Sequence, residues 1–254
     1  METKRQRAIF LDLDGTIAQG NRPPSETVTG AIRRARAAGH RVFLCTGRAP
    51  SFIYGAVEAV GFDGIVAAAG GYIRLGGEVL YRRLLPAELL RRIIEIYLEN
   101  GKAVFLEGEE NMYSLNSPPS YKAGWPSVSS PGDFAPGGRY AGQGVLKYTA
   151  YGGIGNERRL LSPSLDFIDH GRYIEVVPAG VCKADGMRRV LETLGIPRED
   201  SVAVGDSRND LDMLRYAGEG VAMGGSPPEV VQAADRVTGS LEQNGVAAVL
   251  DALT

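Results

Sequence analysis

The sequence predicts an α/β fold, in which a doubly wound parallel sheet forms one domain and an α+β domain is inserted into it. Two observations lead to this prediction. In the first and last thirds of the chain, apolar strand-like runs alternate with amphipathic helical segments, a pattern typical of a parallel sheet covered on both faces. Between these parts the alternation gives way to hairpin-like strand pairs. The predicted boundaries are residues 1–81 and 181–254 for the first domain and residues 82–180 for the insert.

The first predicted strand ends in two carboxylates. Residues 8–11 are apolar at every position, as in a strand buried on both faces, and Asp12 and Asp14 follow. Open α/β sheets bind ligands at the carboxyl ends of their strands. Desolvation of two neighbouring carboxylates is costly unless a cation is bound, and hard oxygen ligands suit Mg²⁺. The pair therefore indicates a metal or catalytic site, the alternative being a solvated Asp-x-Asp-Gly turn.

The next part of the chain continues the alternation of helices and strands. Helices are predicted from the N-cap Ser25 onward and from Pro50 to about Gly61, since Pro suits the first turn of a helix. The predicted strands are residues 41–45 and 64–68. Each helix therefore connects two strands of a parallel sheet.

From residue 72 the pattern changes. The Gly76-Gly77 pair between two apolar runs predicts a hairpin, and Pro86 opens a helix that Gly101 ends. The further strands predicted here are residues 103–106, 112–115, 145–151, 165–168 and 173–177. Residues 116–144 are rich in Pro, Gly and Ser and have no periodicity, so we expect this stretch to be either functional or mobile.

From residue 183 the strand–helix alternation returns. A helix is predicted over residues 184–194, a buried strand over residues 201–205, and the start of another helix at Asn209 and Asp210. The remaining predicted elements are a strand at 221–223, a helix up to residue 234, an edge strand at 235–238 and a terminal helix at 246–253.

The composition excludes several classes of protein. A formal net charge of −2 and a pI of about 5.8 argue against a nucleic-acid partner, which usually shows a basic balance or patch. Two cysteines, Cys45 and Cys182, cannot build a disulfide framework or a Cys-rich zinc site. There is no apolar leader after Met1 and no run of membrane-spanning length, so we expect a cytoplasmic protein without a membrane partner. The sequence leaves open whether the protein is a monomer or a dimer.

Several polar residues fall at the carboxyl ends of predicted strands or at helix starts. In a parallel sheet these ends share one edge, so residues far apart in sequence can converge there. Each alone has a simple structural explanation, such as surface charge for Lys183 or a favourable helix-start charge for Asp210. Their joint occurrence favours a site. The set consists of Asp12, Asp14, Thr46, Lys183, Asp206 and Asp210.

This set of residue types suits phosphoryl transfer. One carboxylate can accept a phosphoryl group as an aspartyl phosphate, and a second can protonate the leaving oxygen and then deprotonate a water. Mg²⁺, an ammonium group, a hydroxyl and backbone amides can hold the negative phosphoryl oxygens. Hydrolysis of phosphate monoesters needs up to ~10²¹-fold acceleration, which fits a site with so many charged and donor groups.

Four motifs, in this order, resemble those of the haloacid dehalogenase (HAD) superfamily. They are Asp12-Leu13-Asp14-Gly15-Thr16, Thr46-Gly47-Arg48, Lys183 and the run from Gly205 to Asp210. The insert resembles the α/β cap that Cof-type members carry between the second and third motifs. The resemblance implies a Rossmann-like HAD core, a cap that selects the substrate, and a Mg²⁺-dependent phosphatase of small phosphorylated metabolites, with sugar phosphates as the expected class.

The resemblance also implies roles for the aspartates. Asp12 would be the nucleophile and Asp14 the general acid and base. Mg²⁺ would be bound by the carboxylates of Asp12 and Asp206 and by the backbone carbonyl of Asp14. Asp210 would support the metal directly or through water.

The phosphate-binding residues follow from the same motifs. Thr46 and Lys183 would bind the phosphate, with Gly47 and Asn209 assisting. Two alternatives stay open at this point. One is a phosphomutase, similar to phosphomannomutases, that uses the same aspartyl phosphate; the other is a catalytically silent sensor of a phosphorylated ligand.

One stretch departs from the family pattern. Related chains often show Asn-Gly-Ala before the cap, where this chain has Ala69-Gly70-Gly71. We expect this departure, like the Pro- and Gly-rich stretch of the insert, to bear on substrate recognition and not on the chemistry.

Overall fold

A computed structural model describes residues 5–117, 124–153 and 155–254 of the chain. The described residues form two compact units. The first consists of the described residues of Met1–Gly47, Ile53–Tyr81 and Cys182–Thr254, and the second of those of Arg48–Phe52 and Arg82–Val181. Among these residues, no helix combines the length and the apolar character that crossing a bilayer requires.

The first unit is built on an eight-stranded sheet of order β13-β12-β11-β1-β2-β3-β4-β5. The pairings from β13 to β3 are parallel, and β4 runs antiparallel to β3. Its strands are β1 (Ala8–Leu11), β2 (Arg41–Cys45), β3 (Gly64–Ala67), β4 (Tyr72–Leu75), β5 (Glu78–Arg82), β11 (Ser201–Gly205), β12 (Glu219–Ala222) and β13 (Arg236–Val237). Successive strands lie on one side of β1 up to β5 and on its other side from β11 onward. The predicted fold class is therefore confirmed.

Helices flank the strands of this unit. They are α1 (Glu26–Ala37), α2 (Gly55–Glu58), α5 (Lys183–Leu194), α6 (Leu211–Tyr216), α7 (Pro228–Ala233) and α8 (Gly245–Asp251). Ser25 caps α1 as predicted, because its Oγ accepts a hydrogen bond from the backbone N–H of Val28. Phe10 and Phe43 pack in one apolar cluster with Met187 of α5. Every residue of β1, β3 and β11 is buried, which shows that both faces of the central sheet are covered.

The helix predicted from Pro50 to about Gly61 is interrupted in the structure. A short 3₁₀ turn covers Pro50–Phe52, and α2 begins only at Gly55. The 3₁₀ turn belongs to the second unit, although the predicted boundary places it in the first. Within the second unit, Ser51 Oγ donates a 2.7 Å hydrogen bond to the backbone carbonyl of Gly108, 57 residues later in the chain.

The second unit contains a five-stranded antiparallel sheet of order β7-β6-β8-β10-β9. Its elements are α3 (Ala87–Asn100), β6 (Val104–Gly108), β7 (Met112–Leu115), β8 (Val145–Tyr151), α4 (Glu157–Leu161), β9 (Leu165–Asp169) and β10 (Tyr173–Pro178). One face of this sheet packs against α3, where Ile93, Tyr97 and Tyr148 are fully buried in one cluster. The predicted α+β character of the insert is thus present.

The other face of that sheet carries a buried row of charges. Lys147 Nζ donates a 2.8 Å hydrogen bond to Glu107 Oε1 and lies 3.2 Å from Glu175 Oε1. The second oxygen of Glu175 lies 3.1 Å from His170 Nε2. Burial by itself disfavours charge, but the ammonium of Lys147 and the imidazole of His170 lower the pKa of Glu175 to about 2. The row is a paired network on three neighbouring strands.

Residues 116–144, predicted to be either functional or mobile, include residues 118–123, which lie outside the described part of the chain. Much of the remainder is held by specific contacts. A 3₁₀ turn covers Pro131–Phe134, and the carboxylate of Asp133 accepts hydrogen bonds from the backbone N–H groups of Ser129 and Ser130. Arg139 pairs with the same carboxylate at 2.6 Å. These contacts form where no periodicity was present in the sequence.

Candidate active site

The candidate site lies where three neighbouring parallel strands of the first unit end. Register pairs Leu11 of β1 with Leu44 of β2 and with Val204 of β11, so the residues that follow these strands lie side by side. Asp12 follows β1, and its backbone N–H donates a 3.0 Å hydrogen bond to the carbonyl of Val204. Thr46 follows β2 and Asp206 follows β11. The sheet reverses its strand order at β1, which is where open α/β sheets bind ligands.

Lys183 is the central cation of the site. It is the first residue of α5, and only 1% of its surface is exposed. Its Nζ donates hydrogen bonds of 2.6 Å to Oδ1 of Asp12 and of 2.6 Å to Oδ1 of Asp210. Burial alone would favour the neutral amine, but these two carboxylates raise the pKa of Lys183 well above its ordinary value. The ammonium is therefore charged and fixed between them.

Negative charge exceeds positive charge at this point. Burial and the nearby carboxylates of Asp210 and Asp206 raise the pKa of Asp12 well above its ordinary range, against the opposing effect of Lys183. Burial and the carboxylate of Asp210 likewise raise the pKa of Asp206 to about 6. Three carboxylates thus share a single ammonium. An additional cation would relieve their repulsion.

Asp210 organises the loop that carries Asp206. Its Oδ2 accepts hydrogen bonds from the backbone N–H groups of Asp206, at 3.0 Å, and Ser207, at 2.9 Å. Its other oxygen accepts the bond from Lys183. Asp210 is completely buried. The residue therefore holds the Asp206 loop and the lysine in a fixed relation.

Gly15 and Thr16 bring the first strand's loop against Asp206. Thr16 Oγ1 donates a 3.2 Å hydrogen bond to Oδ1 of Asp206. Gly15 has φ of +89°, and a Cβ placed there would lie 2.3 Å from Oδ2 of Asp206. Only glycine combines this backbone conformation with so close an approach. Asp206 is thus held from two sides.

The other predicted site residues lie on the same sheet edge or close to it in sequence. Asp14 is exposed and forms an isolated bridge with Ala18. Thr46 is buried, and Gly47 after it is half-buried. Asn209 is half-buried and accepts a 2.8 Å hydrogen bond from Ser207 Oγ. The direct contacts join Asp12, Lys183 and Asp210 to the Asp206 loop; the functional roles of all eight residues remain predictions.

Three residues that sequence reasoning did not assign a role shape the site. Gly15 and Thr16 stand inside the first motif, so their position next to Asp14 was the available signal. Ser207 stands three residues before Asp210, and the two form a capping box at the 3₁₀ turn Arg208–Asp210. A Ser-x-x-Asp pattern before a helix is a recognisable sign of such a box.

The acidic residues of the site fit a divalent cation. Asp12, Asp206 and Asp210 each offer an oxygen, and these oxygens lie within 4.8 Å of one another. Carboxylate oxygens are the ligands that Mg²⁺ prefers. The raised pKa values of Asp12 and Asp206 show that the surrounding protein leaves their charges incompletely balanced. The oxygen ligands and the unbalanced negative charge therefore both favour a divalent cation at this site.

A family model described as haloacid dehalogenase-like hydrolase matches residues 9–132 and 165–250 of the chain. The match contains all four motifs. It extends over most of both units. The resemblance inferred from the motifs is therefore confirmed.

Several proteins similar to this chain are named as phosphatases. The 5-amino-6-(5-phospho-D-ribitylamino)uracil phosphatase YitU of Bacillus subtilis is 31% identical over 268 residues, 98% of either chain. The phosphoglycolate phosphatase of Methanothermobacter thermautotrophicus is 27% identical over 243 residues, 95% of this chain and 96% of its own. The solved structure of BT1666 from Bacteroides thetaiotaomicron, studied among phosphatases of the haloalkanoate (HAD) enzyme superfamily, is 27% identical with a TM-score of 0.84, covering 99% of this chain and 96% of that one. The chain belongs to the haloacid dehalogenase-like hydrolases and is a phosphoric monoester hydrolase of that family.

Proposed function

We propose that this protein hydrolyses small phosphorylated metabolites, with sugar phosphates as the main class, in a Mg²⁺-dependent reaction through an aspartyl phosphate on Asp12. The observation that carries the proposal is the buried Asp12–Lys183–Asp210 network beside Asp206. In this proposal its residues supply a carboxylate nucleophile, a fixed ammonium and a cation-binding set at one sheet edge. Binding of a phosphate alone would not need the nucleophile and the acid.

Asp12 is the nucleophile in this proposal. The residue is 4% exposed, and its carboxylate is oriented by the 2.6 Å bond from Lys183. Attack on phosphorus forms the Asp12–phosphoryl bond and breaks the bond to the substrate oxygen. Asp14 donates a proton to that leaving oxygen and later removes one from the water that cleaves the aspartyl phosphate. The exposure of Asp14 suits a group that must exchange protons with solvent.

The phosphoryl oxygens need donors that are already in place. We assign this part to the ammonium of Lys183 and the hydroxyl of Thr46, with Gly47 and Asn209 assisting. Both main residues are almost completely buried, so their interactions with negative oxygens are weakly screened. Lys183 would in this way connect the nucleophile to the group it attacks.

The metal site consists of the carboxylates of Asp12 and Asp206 and the backbone carbonyl of Asp14. Asp210 supports it directly or through water, and by holding the Asp206 loop. When bound, Mg²⁺ supplies charge that offsets the carboxylates and the phosphoryl oxygens. Thr16 and Gly15 keep Asp206 in position for this role.

Residues 82–180 form the cap in this proposal, and we assign substrate selection to them. The names of two similar proteins support the expected substrate class. YitU is named for a phosphorylated ribitylamino compound, which carries its phosphate on a sugar-alcohol chain, and the archaeal enzyme for phosphoglycolate. Both substrates are small phosphomonoesters. We therefore expect a small hydroxylated phosphomonoester here.

The decisive experiment measures phosphate release from an aryl phosphate and from a panel of sugar phosphates. It compares protein with Mg²⁺, protein with EDTA, Asp12→Asn, and the control Asp251→Asn, whose exposed side chain pairs with Arg34. We expect release by the wild type and the control with Mg²⁺, and none with EDTA or Asp12→Asn. A phosphoenzyme trapped on Asp12 by borohydride reduction would identify the intermediate.

Two results would contradict the proposal. Undiminished release by folded Asp12→Asn would exclude the aspartyl phosphate. Phosphate transfer that depends strictly on a sugar bisphosphate, with little net release, would instead indicate the phosphomutase.

A further inference from the structure

The turn after β3 has an unusual backbone. Ala68, Ala69 and Gly70 have φ of 50°, 55° and 101°, so two alanines in succession adopt the left-handed region. Residues with a Cβ rarely do so, because the Cβ crowds the backbone. Both alanines are only 1% exposed. Such conformations persist where the surrounding structure enforces them, and they cluster at functional sites.

The turn holds the main chain of Thr46. The backbone N–H of Ala69 donates a 3.1 Å hydrogen bond to the carbonyl of Thr46. The N–H of Thr46 donates a 2.8 Å bond to the carbonyl of Val66 in β3. Both backbone polar groups of Thr46 are therefore fixed by β3 and by the turn that follows it.

The same turn lies against the start of α5. A Cβ on Gly70 would lie 2.1 Å from the carbonyl oxygen of Cys182 and 3.4 Å from the backbone nitrogen of Lys183. A Cβ on Gly186, in the first turn of α5, would lie 3.1 Å from Cα of Gly70 and 2.5 Å from Cγ1 of Val66. The two backbones therefore meet at a distance that only glycine at both positions permits.

We propose that the turn Ala68–Gly70 is a positioning element, which sets the distance between Thr46 and Lys183. The inference rests on the proposed function, in which these two residues hold the phosphoryl group. The turn is hydrogen-bonded to the first and packed against the backbone that precedes the second. Donors stabilise a transition state only when they are already in place. The stretch expected to bear on substrate recognition would thus act on the chemistry.

The test is the variant Gly70→Ala, with two matched controls. Gly220→Ala creates a similar collision elsewhere in the unit, 2.3 Å from the carbonyl of Leu214. Gly77→Ala imposes a similar backbone strain, with φ of +94° but no atom within 4 Å of the added Cβ. For each folded protein, kcat and KM for an aryl phosphate and the inhibition constant of inorganic phosphate are measured. Thermal unfolding gives the stability of each variant.

We expect Gly70→Ala to lower kcat/KM about 100-fold, the effect of a displacement near 1 Å, and to weaken inhibition by phosphate. The two controls lose stability but keep kcat/KM within about threefold, since their collisions and strain are away from Thr46 and Lys183. Ala69→Gly, which adopts the same φ freely and keeps the N–H donor, keeps kcat/KM within about twofold. It also shows whether the turn tolerates substitution when its geometry is retained.

The outcomes separate this inference from the proposed function. If the wild type releases phosphate and folded Gly70→Ala matches it, or Gly220→Ala loses as much, the positioning role is wrong and the proposed function stands. If Gly70→Ala does not fold, Gly186→Ala serves as the second variant, because it disturbs the same backbone contact from the side of α5. Weaker inhibition by phosphate in folded Gly186→Ala supports the positioning role. Unchanged inhibition overturns it. If the wild type releases no phosphate from any phosphomonoester, the proposed function and the premise of this role both fail.

Discussion

The Nζ atom of Lys183 donates a 2.6 Å hydrogen bond to Oδ1 of Asp12, a residue 171 positions earlier in the chain. Both side chains are buried, and Lys183 makes an equally short bond to Asp210. An ion pair of this kind orients the carboxylate but does not by itself establish a gain in stability, because desolvation opposes it. Removing only one partner of the ion pair should destabilise the protein, because the charge of the other partner stays buried without compensation.

Lys183→Met keeps most of the side-chain volume and removes the charge. We expect the free energy of unfolding to fall by about 3–5 kcal/mol, the usual cost of leaving a buried charge without its partner. Arg34→Met, which removes an exposed partner of Asp251, should cost less than about 1 kcal/mol. Urea denaturation at neutral pH measures both. Equal losses in the two variants would mean that the buried network contributes no more to stability than an exposed ion pair does.

Gly15→Ala tests the close approach to Asp206. Gly39 has nearly the same φ, +94° against +89°, but open space around an added Cβ, so Gly39→Ala reproduces the strain without the collision. We expect Gly15→Ala to weaken Mg²⁺ binding by about 10- to 100-fold, as loss of support for a metal ligand does. Titration calorimetry measures the affinity. A similar loss in Gly39→Ala would assign the effect to backbone strain.

Mg²⁺ should stabilise the folded protein. A cation that binds only the native state adds about 2.7 kcal/mol to the free energy of unfolding at 100 times its dissociation constant. We therefore expect the unfolding temperature to rise with Mg²⁺ and to return with EDTA. Asp206→Asn should lose most of this response, because it removes one of the three clustered carboxylates. An undiminished response in that variant would place the cation elsewhere.

Acid should weaken the second unit through Glu175. The pKa of this carboxyl lies at about 2, below its ordinary 4.5, despite burial and because of Lys147 and His170. A depressed pKa stabilises the folded state above pH 4.5, and this contribution is lost as the pH falls toward 2. It amounts to at most about 3 kcal/mol. The difference in unfolding free energy between the wild type and Glu175→Gln should shrink over this range, as denaturant titrations can show; a constant difference would contradict the shift.

Much of the fold could be predicted from the sequence, because local sequence signals and the burial pattern indicate the same strands and helices. The all-apolar strand before Asp12, the Gly76-Gly77 hairpin and the capping Ser25 each obey a local rule that the tertiary structure does not override. The prediction of one helix from Pro50 to about Gly61 was wrong. Ser51 contacts β6, and the 3₁₀ turn that contains it therefore belongs to the second unit. Such contacts have no local sequence signal.

The sequence predicted which residues belong to the site better than it predicted the contacts between them. Topology places the residues after β1, β2 and β11 on one edge, so their convergence follows from strand order. That Lys183 binds Asp12 and Asp210 together, or that Gly15 lies against Asp206, depends on side-chain geometry that no spacing encodes. The paired row of Glu107, Lys147 and Glu175 likewise arises only from the register of three strands.

The strand order also has a consequence for biosynthesis. β1 is translated before the insert, yet its neighbour β11 is made only after the whole insert has been translated. Until then the edge of β1 that will receive β11 has no partner, and Asp12 has no lysine. A nascent chain or a truncated product that ends before Lys183 therefore cannot assemble this centre. The contacts of Lys183 with Asp12 and Asp210 form only after the insert has been translated.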